Sequence, residues 1–64
     1  MNIKYDKAAD ALYLKLSDAE ISVSDEDKPG IIIDYDAEGN VVGIELLEAS
    51  KKTENPSSLV YEVA

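Results

Sequence analysis

Two β-rich runs joined by a glycine-containing turn constrain this chain more than anything else in it. Ile31-Ile32-Ile33 sets three β-branched residues in a row, and Val41–Leu47 is apolar apart from Gly43 and Glu45. Branching at Cβ restricts χ1 and suits the pleated, extended backbone. Between the runs, Asp34-Tyr35-Asp36 leads into Ala37-Glu38-Gly39-Asn40, and a short Gly-containing connection of this kind marks a β-hairpin. Placing Ala37 and Glu38 in a type I turn, with Gly39 left-handed as the bulge residue, pairs Asp36 with Asn40, Asp34 with Val42, Ile33 with Gly43 and Ile32 with Ile44. Ile32, Val42, Ile44 and Leu46 then share one face, and Ile31, Ile33, Tyr35, Val41 and Leu47 share the other. Both faces read as mainly apolar, unlike a sheet with one wet side. The hairpin is therefore expected to be covered on both faces.

Little chain remains to supply that cover. The protein has 64 residues, 45% of them hydrophobic, which amounts to one domain at most. Domains this short bury only about 60% of their unfolded surface and usually lean on disulfides, metals or oligomerisation. There is no Cys, His, Arg, Trp or Phe. Disulfides, Cys- or His-ligated metals, imidazole acid–base chemistry and Arg phosphate clamps are thereby excluded. Association is left, so a homodimer or a partner-bound state is expected. It would use Ile31, Ile33, Tyr35, Val41 and Leu47, an exposed strand edge, or the apolar tail with Leu59 and Tyr61.

The rest of the chain reads as follows. Ile3 and Tyr5 alternate with polar neighbours over a short strand at 2–5. Asp6 precedes Lys7-Ala8-Ala9-Asp10 as the cap of a single helical turn. Residues 11–17 have helix-favouring composition, yet Leu12, Leu14 and Leu16 alternate strictly with Tyr13, Lys15 and Ser17. A helix would scatter those leucines whereas a strand buries them together, so a strand is predicted. Ile21–Ser24 is a shorter strand, Asp25-Glu26-Asp27-Lys28 a charged loop, and Pro29-Gly30 a turn. The expected fold is mainly β (small α+β): an antiparallel meander of four to five strands, with one short helical turn near 7–10. Residues 1–50 form a single small β domain. Residues 51–64 form a polar linker and an apolar segment that docks on the domain or on a partner, with Leu59, Tyr61 and Val63 on one strand face; Asn55-Pro56 leaves a short helix open there.

Charge narrows the function classes. The net charge is −8, and between Ser17 and Glu38 eight carboxylates face only Lys28. That sign opposes nucleic acid and anionic membranes. The acidic window reads either as a solubilising face or as a surface that steers a basic protein partner. Charged residues interrupt the N-terminal apolar run, and no apolar stretch nears the roughly 20 residues of a membrane span, so a cytoplasmic protein is expected.

Candidate chemistry is sparse. Counted from Asp34, carboxylates stand at positions 1, 3 and 5, with Gly39 at 6 and Glu45 at 12, close to a calcium-loop spacing. Strands on either side would carry Glu45 away from Asp34, Asp36 and Glu38 at about 3.3 Å per residue. A hairpin turn is the preferred reading, with Asp34, Asp36 and Glu38 as the remaining metal candidates. Asp6/Asp10 and Asp34/Asp36 are the available carboxylate pairs, but acid catalysis needs burial in a cleft. Ser17, Ser22, Ser24, Ser50, Ser57 and Ser58 have no imidazole to activate them. No enzyme and no cofactor are expected. The four tyrosines read as amphipathic strand margins, suited also to interfaces.

Two ordered blocks carry a resemblance. Tyr5-Asp6-x-x-x-Asp10-Ala11-Leu12-Tyr13-Leu14-x-Leu16-Ser17 is followed by Pro29-Gly30-Ile31-Ile32-x-Asp34-Tyr35-Asp36-x-x-Gly39-x-Val41-Val42-Gly43-Ile44-Glu45-x-Leu47-x-Ala49-Ser50. Over residues 3–50 the chain resembles a family of small bacterial and archaeal proteins, domain of unknown function 2283. The resemblance implies a compact, mainly β domain with a helical turn and successive antiparallel strands. Members lying beside small toxin-like genes imply an antitoxin-like or partner-binding role; no catalytic residues carry over. The shared positions imply architecture: Asp6 and Asp10 around the first turn, Gly30 and Gly39 at bends, and Gly43 opposite Ile33. The function expected is a non-catalytic interaction module, with a homo-oligomer lacking any hetero-partner, and then a weak calcium-binding protein, as alternatives.

Overall fold

Turn chemistry sets the frame. Gly30 and Gly39 adopt φ of 77° and 85°, a region costly for residues with a Cβ, and each closes a hairpin. In the computed structural model, which describes Met1–Ala64, these hairpins belong to one five-stranded antiparallel sheet. The strands are β1 (Asn2–Asp6), β2 (Ala11–Lys15), β3 (Val23–Lys28), β4 (Ile31–Tyr35) and β5 (Val41–Leu47), and one short helix, α1 (Ala49–Lys52), follows. The fold is mainly β, as the alternation of residues requires.

The order across the sheet is β1-β2-β5-β4-β3. The meander thus holds within β1–β2 and within β3–β4–β5 and is interrupted once. Residues 16–22 cross the sheet end from β2 to the far edge, and the Tyr35 carbonyl accepts the Ser22 amide at 2.7 Å.

Four expectations are corrected locally. Residues 7–10 are a hydrogen-bonded turn and not a helical one. Asp6 still acts as a cap there, its Oδ1 accepting the Ala9 amide at 3.2 Å, but Asp10 at φ 51° bends the chain directly into β2. The helix forms instead at Ala49–Lys52, after Glu48 turns the chain with φ 51°. The charged stretch Asp25–Lys28 is strand: β3 begins at Val23 and runs through it, every residue exposed. An edge strand needs only backbone partners on one side, and charge on it deters pairing with other chains. Leu59–Val63, read as a strand, belongs to no regular element, for no ladder partner reaches it.

The hairpin register matters most. Near the turn it is as expected: Asp36 and Asn40 are hydrogen-bonded, and Tyr35 opposes Val41. Beyond that point β5 holds one residue more than β4, a bulge that leaves Asp34 opposite Gly43, Ile33 opposite Ile44 and Ile32 opposite Glu45. The Val42 carbonyl turns toward β2 and accepts the Leu16 and Ser17 amides at 2.7 and 3.3 Å. Because side chains alternate with period two, a one-residue slip exchanges the faces of everything beyond it.

The expectation of two apolar faces is therefore wrong. Cross-strand partners share a face. One face gathers Ile31, Ile33, Tyr35, Val41, Val42, Ile44 and Leu46 with Leu12, Leu14, Ile3 and Tyr5. The other carries Ile32, Asp34, Gly43, Glu45 and Leu47 with Tyr13, Lys15, Lys4, Ser24 and Glu26. One side is apolar and one is largely polar.

Candidate functional site

On the polar face, two rows of cross-strand partners meet. Ser24, Asp34, Gly43 and Lys15 form one row, and Glu26, Ile32, Glu45, Tyr13 and Lys4 the next. Gly43 is a gap in this surface, and the Tyr13 ring fills it. A Cβ added at Gly43 would lie only 2.8 Å from Cζ of Tyr13 and still closer to its hydroxyl. Under this ring Asp34 is 1% exposed, and its Oδ1 accepts the Ser24 hydroxyl at 2.6 Å. Burial, and then the Asp34 charge, pushes the Tyr13 phenol up from its ordinary value. Burial also raises the Glu45 carboxyl, and the neighbouring Asp34 carboxylate raises it further.

Tyr13, Ser24, Asp34 and Glu45 thus form a polar cluster drawn from four strands. Two crowded carboxyls, one of them with elevated affinity for a proton, are the raw material of acid–base chemistry. The depressions on the molecule are lined elsewhere, by Met1 with Lys15 and Asp18, by Glu26 with Gly30 and Lys52, and by Tyr5 with Pro56 and Leu59. A general acid must reach a substrate atom held beside it. The cluster spans β2, β5, β4 and β3 on the polar face, and no buried polar side chain in the molecule lacks a partner.

A second polar group pins the end of the sheet. The Tyr5 hydroxyl donates to Oδ1 of Asp10 at 2.7 Å, the Ser50 amide donates to the same oxygen at 3.0 Å, and the Ser50 hydroxyl donates to Oδ2 at 2.6 Å. The Ala49 amide donates to the Asp10 carbonyl, and Ala49 is fully buried. The hydrogen bonds from Ser50, then that from Tyr5, hold the Asp10 carboxyl below its usual range, and the same bond to Asp10 raises the Tyr5 phenol. Asp10 is a clasp between the first turn and α1; its expected partner Asp6 instead caps the turn.

The calcium-loop candidates are dispersed. Asp34 lies buried on the polar face, bonded to Ser24. Asp36 turns inward, its Oδ1 accepting the Glu38 and Asn40 amides at 2.9 Å each, and the Asn40 amide foremost depresses its carboxyl. Glu38 is exposed in the turn. No three His, Cys, Asp or Glu side chains stand together to hold a metal ion.

The interface candidates divide between the faces. Ile31, Ile33, Tyr35 and Val41 lie on the apolar face, whereas Leu47 falls on the polar one, 38% exposed. Leu59 and Tyr61 are exposed in the tail. Of the large side chains on the apolar face, only Val42 is buried; Ile31, Ile33, Ile44, Leu46, Leu12 and Leu14 are half-buried. The tail passes over one margin of that face, where Pro56 and Leu59 line a depression with Ile3, Tyr5 and Leu12.

Sequence reasoning missed the pairing of Asp34 with Glu45 and of Asp10 with Ser50. The first depends on the bulge, since the regular register sends Asp34 and Glu45 to opposite faces. The second joins residues 40 apart, which no local period reports. One signal was in view for both: Asp10, Tyr13, Asp34, Gly43, Glu45 and Ser50 all stand in the blocks that carried the family resemblance.

The family described as Protein of unknown function (DUF2283) matches residues 2–50. No curated protein and no solved structure matches the chain. The matched span holds all five strands, the Tyr5–Asp10–Ser50 clasp and the Gly43 gap beneath Tyr13, and the chain belongs to that family.

Proposed function

We propose that this domain is a non-catalytic protein-interaction module of the cytoplasm that works through the apolar face of its sheet. The observation that carries the reading is the missing second layer. Only four of 64 residues are buried, and Val42 and Ala49 are the apolar ones with side chains to count as core. Covering apolar surface yields about 25 cal/mol per Å². Soluble monomers rarely leave a broad contiguous apolar patch open, and such patches mark docking sites. That none of the depressions is lined by Tyr13, Asp34 or Glu45 supports the non-catalytic part of the reading, and no helix is long and apolar enough to cross a membrane.

Size-exclusion of the tagged full chain in extract of its native host tests this. The chain is expected in an assembly, with Ile33→Lys shifting it to the monomer position and Lys4→Ala on the polar face leaving it in place. Elution of the unaltered chain as a free 7.0 kDa species would end the reading. The acidic β3 edge favours a second reading, in which a basic protein is drawn to Asp25, Glu26 and Asp27 in an antitoxin-like role. Its association rate should fall steeply with added salt.

A further inference from the structure

The sheet leaves three surfaces for an occupant: two edges and the apolar face. The edges are poorly suited. β3 presents Asp25, Glu26, Asp27 and Lys28 and holds a bulge between Glu26 and Lys28, both of which discourage strand addition. β1 is short and alternates Asn2, Lys4 and Asp6 with its apolar residues. The apolar face is different. Its centre is Ile33, Ile44 and Leu14 in one cross-strand row and Ile31, Leu46 and Leu12 in the next. The charged residues that the register places on it are Asp25 and Lys28, with Asp27 in the bulge beside Lys28, all on the β3 margin. An uncharged centre inside a polar rim is the anatomy of a protein interface.

The placement of charge says what kind of partner fits. A basic partner would seek carboxylates beside the apolar centre, yet Asp34, Glu45 and Glu26 lie on the opposite side of the sheet. A second copy of a chain with net charge −8 would be repelled by an acidic docking surface. Of the two broad sides, this one carries fewer carboxylates, with Asp25 at its β3 margin against Glu26, Asp34 and Glu45 on the polar one. The molecule is a plate of 33 × 31 × 19 Å, broad enough on each large side for another sheet to lie flat against it. Sheets stack face to face at about 10 Å, and such a stack supplies the second layer that the single chain lacks.

We infer that the partner of the apolar face is a second copy of this chain, with Ile31, Ile33, Tyr35, Val41 and Ile44 of the two sheets packed together and both polar faces outward. This deepens the interaction reading above and rests on it. The tail at the β1–β2 margin leaves the β3–β4–β5 half of the face open for this contact.

Sedimentation equilibrium of the pure full chain, from about 1 to 100 μM, tests the inference. The expected mass is twice 7.0 kDa. Ile33→Asp should yield monomer, and Val41→Lys, at a position already 39% exposed, should weaken the dimer about tenfold or more while circular dichroism stays that of a sheet. Should Ile33→Asp not fold, Val41→Lys carries the test. A folded 7.0 kDa wild-type chain throughout the range overturns the inference, as does a dimer untouched by Val41→Lys. A chain that is monomeric when pure but assembled through Ile33 in host extract overturns the second copy alone and keeps the interaction reading. A chain that is monomeric in both overturns the two together.

Discussion

The two faces of this sheet are built from the same strands and solve opposite problems. On the polar face, Asp34 is as thoroughly buried as Val42, because Tyr13 folds over the gap at Gly43 and Ser24 satisfies the carboxylate. On the apolar face, six isoleucine and leucine side chains stay half-buried because only the tail, at the β1–β2 margin, lies against that face. Polar groups can saturate one another within a flat layer, since hydrogen bonds are directional and short. Apolar side chains gain by excluding water, which a single layer cannot do on its outer side. One face is complete in a lone chain, and on the reading proposed above the other becomes complete on association.

The comparison can be broken on the polar side. Gly43→Val should cost the most, about 2–3 kcal/mol, because the new side chain must displace the Tyr13 ring from above Asp34. Adding Tyr13→Ala should recover part of the loss in chemical denaturation. If Gly43→Val is silent, the ring does not occupy the gap. Asp34→Ala should cost about 1 kcal/mol by removing the hydrogen bond that the Ser24 hydroxyl donates, and Asp34→Asn distinctly less because an acceptor remains.

Cutting the clasp tests the end of the sheet. Asp10→Ala should lower the melting temperature by about 5 °C, releasing Tyr5 and Ser50 together. The pH dependence has a definite sign. Asp10 is held below its ordinary value of 3.8, so its contribution is present above that pH and is lost as pH falls through the depressed value. The acid limb of the stability curve should therefore be shallower in the Asp10→Ala variant.

The smallest effect runs the other way. The Glu45 carboxyl is raised above 4.5, so the folded state holds its proton more tightly, and stability gains as pH falls from the raised value toward 4.5. At neutral pH the ionised group costs stability. Glu45→Gln should raise stability at pH 7, with the gain vanishing below pH 4.5. Destabilisation by Glu45→Gln at neutral pH would contradict the crowding of Glu45 against Asp34.

Much of the fold was legible because it is written in local patterns. Leu12, Leu14 and Leu16 overrode helix propensity through their period of two, and Gly39 declared its turn through the one conformation it alone adopts cheaply. β3 was half legible: Val23 and Ser24 read as strand, whereas Asp25–Lys28 pair through backbone groups that side chains do not advertise. The bulge at Val41-Val42 was not legible, because an extra residue in one strand leaves composition and alternation almost unchanged. Its effect was large, turning two half-greasy faces into one apolar face and one polar one and bringing Glu45 beside Asp34. Ile31, Ile33, Tyr35 and Val41 stay together on one face because they precede the bulge or sit in it. Leu47 lies beyond it and fell on the other side.

The isoleucines themselves offer the most direct measurement. Ile31, Ile33 and Ile44 face the apolar side, while Ile32 faces the polar side. With the isoleucine δ-methyl groups isotopically labelled and a soluble paramagnetic agent added, Ile32 should broaden while Ile31, Ile33 and Ile44 stay sharp at concentrations where the chain is assembled. Equal broadening of all four methyls in the folded chain would mean that water reaches both sides of the sheet, and the claim that its apolar face is sheltered would fail.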